Sequence, residues 1–157
     1  MPKRITAASS MDEPIEQLVR KTDRKTLAIW AADCAERVLI YFEAERPLDV
    51  RPRKAIEACR AWAATGAFRM SDVRKTSLAC HAAARGVKEF DPARSAARAA
   101  GHAIATAHIG THSIAAAIYA ATAVRDAADS EDARAATEKE RDWQYEHLIN
   151  LRRQAAR

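Results

Sequence analysis

A run of 26 residues without a single charged side chain is the most constraining feature of this 157-residue sequence. It extends from Ala99 to Val124, between Arg98 and Arg125, in a chain in which 30% of the residues are charged. A helix that is apolar on every side lies either in a membrane or at the centre of a helical domain. Both alternatives are open at this length, because about 20 apolar residues span a bilayer.

The composition of this stretch favours the interior of a helical domain. Its apolar content is mainly alanine, and it also carries His102, His108 and His112. Alanine contributes much less to membrane insertion than leucine or phenylalanine does. Small side chains instead allow neighbouring helices to approach each other closely. We therefore expect buried helices here and no membrane span.

Length and composition predict an all-α fold. The chain has the usual size of one domain, it contains only 4 glycines and 5 prolines, and alanine is the best helix former. No strand alternation or hairpin turn is present in the sequence. We predict a compact single-domain bundle, or a short stack of helix pairs, with five to seven helices. Residues 1–22 form a loose N-terminal segment with room for one short helix, and residues 23–157 form the helical domain.

The cysteines and the N-terminus predict a cytoplasmic protein. Cys34, Cys59 and Cys80 are odd in number and include no CxxC pair, which argues against a disulfide framework and a zinc ribbon. Reduced, buried thiols are the simpler interpretation. Lys3 and Arg4 are followed by a polar run rather than a hydrophobic one, so we expect no secretory signal.

Two aspartates are strong predicted helix starts. Asp23 can cap a helix that ends near Glu45, because Pro47 disfavours helical geometry at the residue before it. Asp91 followed by Pro92 combines a cap with a proline in the first turn, where a missing N–H costs nothing. We expect a further helix to begin at each of these positions.

Other helix boundaries rest on weaker local signals. Pro52 fits the first position of a helix that stops at Gly66, since glycine readily adopts the left-handed conformation of a helix end. Ser71 is the predicted cap of the next helix. The last helix is expected to begin at about Ser130.

The uncharged stretch itself is predicted to contain a break. Gly110 costs about 1 kcal/mol in a helix interior relative to alanine, and Thr111 is a good cap for a new helix. We therefore predict two helices, at about 92–108 and 111–128, that form an antiparallel or sharply bent pair.

The net charge of +5 is concentrated in the middle of the chain. Residues 51–98 contain eleven basic and four acidic side chains. They can form a basic face toward nucleic acid or an acidic protein, or they can simply be the solvated sides of amphipathic helices. Interleaved aromatic residues, which would favour nucleic acid, are absent, because all three tryptophans lie on apolar stripes and are predicted to belong to the core. These tryptophans are Trp30, Trp62 and Trp143.

Several polar side chains are candidates for a functional site. His108 and His112 are four residues apart, which would suit a metal on one continuous helix, but no third ligand is evident and the break at Gly110 would spoil the spacing. The sequence lacks the GxSxG, dinucleotide and phosphate-loop motifs. We predict no catalytic residue, no metal and no cofactor, and hence no enzyme. The candidates for partner binding are Asp33, Glu36, Arg37, His102, His108 and His112.

Four segments of the chain resemble a family of small bacterial immunity proteins with an Imm-5-like domain. They are LAIWAADCAERVLIYFE at 27–43, RPRKAIEACRAWA at 51–63, AARAAGHAIATAHIGTHSIAAAIYA at 96–120 and WQYEHL at 143–148. The resemblance covers most of the chain after Asp23. It implies an all-helical protein of a polymorphic-toxin locus that binds and neutralises a cognate toxin.

The charge map adds a restriction to this expectation. A protein that blocks a nuclease by imitating nucleic acid presents a dense acidic surface, whereas this chain is basic. The partner is therefore expected either to offer an acidic patch or to contact the acidic segments 33–49 or 126–146. The alternative function is a basic helical scaffold or nucleic-acid-binding module.

Overall fold

A computed structural model describes residues 2–157, and this part of the chain forms seven α-helices and no strands. The all-α prediction is confirmed. None of the helices described is long and apolar enough to cross a membrane. The helices are α1 (Asp12–Arg20), α2 (Arg24–Glu45), α3 (Arg51–Thr65), α4 (Met70–Arg85), α5 (Pro92–Ala105), α6 (His112–Ala127) and α7 (Ala133–Ala155).

Helix α2 lies at the centre of the fold. It packs against α5 and α6 on one side and has α3 and α7 beside it. Four of its alanines, Ala28, Ala31, Ala32 and Ala35, are completely buried, so that the helices behind it approach closely. Trp30 is fully buried among them, and its indole N–H donates a hydrogen bond of 2.8 Å to the carbonyl oxygen of Gln144 on α7. This bond satisfies the one polar atom of a large core side chain.

The uncharged stretch forms the helical pair α5 and α6, as predicted. These two helices share the most extensive packing in the fold. The two helices are antiparallel. His102 near the end of α5 contacts His112 at the start of α6, whereas Arg98, one turn earlier on α5, lies beside Tyr119, two turns later on α6. The break is at the predicted position, and a Cβ on Gly110 would lie only 3.2 Å from the Leu27 side chain. Close packing of this turn against α2 thus favours glycine, which has no side chain, at position 110.

Three predicted helix ends, at Asp23, Asp91 and Gly66, are confirmed, whereas Thr111 occupies the N-cap position of α6 without a side-chain capping hydrogen bond. The Asp23 carboxylate accepts a hydrogen bond from the Thr26 N–H, and the Asp91 carboxylate accepts one from the Ala93 N–H. Gly66 ends α3 with a left-handed φ of 73°. The prediction for Ser71 was wrong: α4 begins at Met70 with Arg69 in the capping position, and no side chain caps it.

The chain ahead of α1 makes specific contacts with α6 and α7. The guanidinium of Arg125 donates hydrogen bonds to the carbonyl oxygens of Arg4 and Ile5. The carboxylate of Glu138 accepts hydrogen bonds from the hydroxyls of Ser9 and Ser10. The proposed division of the chain into residues 1–22 and 23–157 stays a prediction.

One charged side chain lies deep in the interior between α1, α6 and α7. Arg141 has a side chain that is only 2% exposed, and its guanidinium donates 2.8 Å hydrogen bonds to Asp12 and to the side-chain oxygen of Gln144. The Gln144 amide in turn donates to the carbonyl oxygen of Ala117. The network joins three helices, since a buried guanidinium is tolerated only when its donors are satisfied.

Candidate partner-binding surface

Three of the sequence candidates lie together on the outer side of α2. Asp33, Glu36 and Arg37 follow one another at helical spacing, so they occupy one face, opposite the alanines that pack on α5 and α6. The two neighbouring helices supply partners to this face from either side. We call the resulting surface the ion-pair face; its residues are Asp33, Glu36, Arg37, Glu43, Arg53, Arg60, Glu140, Trp143 and His147.

Arginines of α3 neutralise the carboxylates of α2. Arg60 contacts Asp33 at 2.7 Å. Arg53 bridges two carboxylates, at 2.8 Å from Glu36 and 2.7 Å from Glu43. These pairs hold α3 against α2 and neutralise the charges of Arg53 and Arg60.

An aromatic sandwich completes the other side of the ion-pair face. The guanidinium of Arg37 forms two 2.8 Å hydrogen bonds with Glu140 of α7 and lies 3.8 Å from the ring centre of Trp143. The hydrogen bonds to Glu140 raise the pKa of Arg37, against the opposing effect of burial. Trp143 stacks on His147 with the ring centres 4.6 Å apart, and His147 lies 2.8 Å from Asp33. Asp33 therefore joins the α3 and α7 sides of the network.

The position of Trp143 corrects its assignment to the core. The tryptophan is only partly buried and lies between a guanidinium and an imidazole. It also lines a surface groove of about 470 Å³ together with Tyr41 and Lys139. The helical spacing of Trp143 resembles a core stripe because the side chain is partly buried against the core, although Arg37 and His147 cover its two ring faces. The other partners of the ring come from positions that sequence spacing does not reveal.

A second cluster unites two of the histidine candidates. The Nδ1 atoms of His102 on α5 and His112 on α6 lie 3.2 Å apart, so that one ring donates a hydrogen bond to the other. The ring of Tyr119 stacks on His102 at an angle of 6°. His81 of α4 meets His102 edge to face, with the ring centres 4.9 Å apart. The sequence had not identified His81 as a candidate, because 21 residues separate it from His102 and no local pattern connects them.

The surroundings keep these histidines neutral. Burial lowers the pKa of His81 to about 4, and the nearby positive charges of Arg98 and Arg85 act in the same direction. Burial likewise lowers the pKa of His102 to about 4, with smaller effects from the other histidines and Arg98. The pKa of His112 is also lowered, mainly by burial. A positive neighbourhood disfavours a bound cation, and no group of three or more ligating side chains among residues 2–157 is arranged to hold a metal.

His108 does not join this cluster. It lies in the turn after α5 and is exposed, and its backbone carbonyl accepts a hydrogen bond from Arg24. The four-residue spacing of His108 and His112 therefore crosses the helix break and does not bring the two side chains onto one helix face. The break that the sequence predicted is the physical reason.

The three thiols are all buried and free. Burial raises the pKa of Cys59 and of Cys80 to about 12, and it raises the pKa of Cys34 as well. A thiol is a nucleophile only as the thiolate. These cysteines therefore serve the core, and the Cys59 thiol donates to backbone carbonyls of α2 and α5.

The fold and these clusters define a small all-α protein whose charged side chains are organised on the outer faces of packed helices. A family model described as "Imm-5 like putative immunity protein" matches residues 17–151, and the chain belongs to this family. The resemblance noted in the sequence is thus confirmed over nearly the whole chain. No curated protein and no solved structure matches it.

Proposed function

We propose that this protein is an immunity protein that binds a cognate bacterial toxin in the cytoplasm of the producing cell and neutralises it without catalysis. The observation that carries the proposal is the family match over residues 17–151. A family named for immunity implies a toxin partner in general.

The construction of the surface supports a binding role. Side chains on the ion-pair face are fixed by paired hydrogen bonds, as between Arg37 and Glu140, and by stacking, as between Trp143 and His147. Side chains that are already ordered lose less entropy when a partner binds. Arginine and aromatic residues are also the types enriched at protein interfaces.

The chemistry of the interior supports a role without catalysis. The thiols have raised pKa values and are buried, and the clustered histidines are neutral and engaged with one another. A general base acts best when its pKa lies near the working pH. The low pKa values of His81 and His102 favour a packing role for both rings.

Co-expression with the toxin-like gene adjacent to this gene tests the proposal. We expect the protein to restore growth of cells that express the toxin and to form a stable complex with a catalytically inactive toxin in size-exclusion chromatography. A toxin from an unrelated locus serves as the control and should be neither neutralised nor bound. Failure of both rescue and complex formation with the adjacent toxin would overturn the proposal.

A basic scaffold or nucleic-acid-binding role is the second candidate, favoured by the net charge of +5. Such binding would be electrostatic and would weaken steeply with salt. Retention of the protein on a DNA column at low salt, with loss of retention as salt rises, would support this role. Lack of retention at low salt would remove it.

A further inference from the structure

Helix α4 carries basic side chains that no carboxylate neutralises. Residues 70–85, which form α4, contain three basic residues and one acidic residue, a net charge of +2. Within residues 2–157, the ion pairs of the middle region use Arg51, Arg53 and Arg60 of α3 and none of the basic residues of α4. Arg74, Lys75 and Arg85 of α4 therefore form no ion pair within the described residues.

The free cations and one large apolar side chain share a single face of α4. Arg74, Lys75, Leu78 and Arg85 are all exposed, and their spacing places them on the side opposite the buried residues of the helix. We call this set the α4 cationic face. Leu78 lies between the cations and is 59% exposed. The opposite side of α4 packs on α3 and α5, so that α4 is an edge helix.

Neighbouring arginines of α5 extend the positive potential beyond α4. Burial lowers the pKa of Arg98, and the positive charges of Arg94 and Arg85 lower it further. The same arginine and Arg85 help to lower the pKa of His81. Glu89 and Asp126 line the same small pocket as Arg94 and Arg98, but within residues 2–157 neither arginine forms an ion pair, and like charges near one another attract an anionic partner.

We propose that the α4 cationic face is the docking surface for an acidic patch of a partner protein, with Leu78 as its apolar anchor. This inference rests on the proposed function, because the partner would be the toxin. The proposal rests on charge complementarity, because carboxylates of the partner can pair with cations of α4 that form no ion pair within residues 2–157. The cations of the ion-pair face are already paired with carboxylates, so that face offers ordered polar and aromatic contacts rather than free positive charge.

The exposed leucine favours a protein over a nucleic acid as the occupant. A large apolar side chain surrounded by charges corresponds to the apolar centre and polar rim of a protein interface. Binding of single-stranded nucleic acid uses aromatic rings for stacking, and α4 contains no Phe, Tyr or Trp. Duplex DNA remains an outcome that the test must separate.

The experiment compares variants of the full-length protein for binding to the inactive toxin by titration calorimetry. The charge-reversal variant Arg74→Glu/Lys75→Glu should weaken binding about 100-fold, because like charges then face one another. Its matched control, Arg134→Glu/Arg153→Glu on α7, makes the same change in net charge and should stay within about threefold of the wild type. All four positions are exposed, and circular dichroism would verify that both variants are folded.

A second pair of variants tests the apolar anchor. Leu78→Ala should weaken binding about tenfold, whereas Leu48→Ala should have little effect. Leu48 is a suitable control because it is 94% exposed, in the loop between α2 and α3. Raising the salt from about 50 mM to about 500 mM should slow association of the wild type more than that of Arg74→Glu/Lys75→Glu.

The experiment distinguishes failure of the docking inference from failure of the proposed immunity function. Full binding and growth rescue by Arg74→Glu/Lys75→Glu would overturn the docking inference and leave the immunity function standing. Absence of binding and rescue by the wild type would overturn both. If a labelled DNA duplex binds the wild type but not Arg74→Glu/Lys75→Glu, while the toxin binds both equally, the α4 cationic face contacts nucleic acid and the inference is wrong.

Discussion

His102 and His112 share a 3.2 Å hydrogen bond between their Nδ1 atoms, which requires that at least one of the two rings be neutral. Two imidazolium rings would both be donors and would repel each other at this distance. His81 adds a third ring from α4 beside Arg85 and Arg98. The cluster thus joins three helices through neutral rings, and protonation of these rings at low pH would weaken the contacts between the helices.

The free energy of unfolding should therefore decrease as the pH falls from about 6.5 to about 4. His81 and His102 have pKa values of about 4 in the fold, whereas an unfolded histidine titrates near 6.5. Between pH 4 and pH 6.5 the unfolded chain binds protons that the folded protein does not. The stabilisation contributed by the neutral histidines is therefore complete above about pH 6.5 and is lost as the pH approaches about 4. Urea unfolding at a series of pH values measures the effect.

His102→Phe separates the histidine contribution from that of the carboxylates. We expect a smaller decrease in stability between pH 6.5 and 4 in this variant, because one ring no longer titrates. His108→Gln is the matched control, since His108 is exposed and outside the cluster, and it should follow the wild type. An unchanged pH dependence in His102→Phe would contradict the explanation.

Removal of Asp12 should destabilise the protein by about 2 to 3 kcal/mol, because a charged hydrogen bond to a buried group is lost. Asp12 is itself 42% exposed, but its partner Arg141 is only 2% exposed and would lose its counterion. Chemical denaturation of Asp12→Ala measures the change. Glu45→Ala breaks the exposed pair with Arg46 and should alter stability by only about 0.5 kcal/mol. Equal losses of stability in Asp12→Ala and Glu45→Ala would show that the buried pair stabilises the fold no more than an exposed pair does.

Gly101→Ala should reduce stability, although alanine is the better helix former. A Cβ at this position would lie 3.0 Å from the Cys80 Cβ and 3.1 Å from the His81 ring, and such overpacking costs about 1 to 3 kcal/mol. Gly86→Ala is the matched control, because its added Cβ would meet only one backbone oxygen, at 3.4 Å. We expect that variant to gain up to about 1 kcal/mol. Thermal unfolding of both variants tests the contrast, and a stabilised Gly101→Ala would refute it.

The cysteines should resist thiol reagents in the native state. All three are buried, and burial raises their pKa values, those of Cys59 and Cys80 to about 12. A chromogenic disulfide should react with no thiol of the folded protein at neutral pH and with all three in denaturant. Rapid reaction of any cysteine without denaturant would be inconsistent with this burial.

The sequence alone determined the helices and most of their ends. Asp23 and Asp91 cap backbone N–H groups only two or three residues away, and Gly66 ends its helix by adopting the left-handed backbone conformation. Such signals are local, so they act before any helix packs against another. The break near Gly110 followed from the same kind of reasoning. Ser71 failed as a cap because α4 begins two residues earlier, with Arg69 in the capping position and no side-chain hydrogen bond to fix the start.

Only the tertiary structure decided which charges are paired and which are free. Arg53 and Arg74 look alike in the sequence, yet Arg53 lies between two carboxylates of α2 while Arg74 lies on the outer side of an edge helix. His81 joined His102 for the same reason, through the packing of α4 on α5. Ion pairs and ring contacts act over a few ångströms, so they depend on which helix faces meet. Helical periodicity alone does not specify that arrangement.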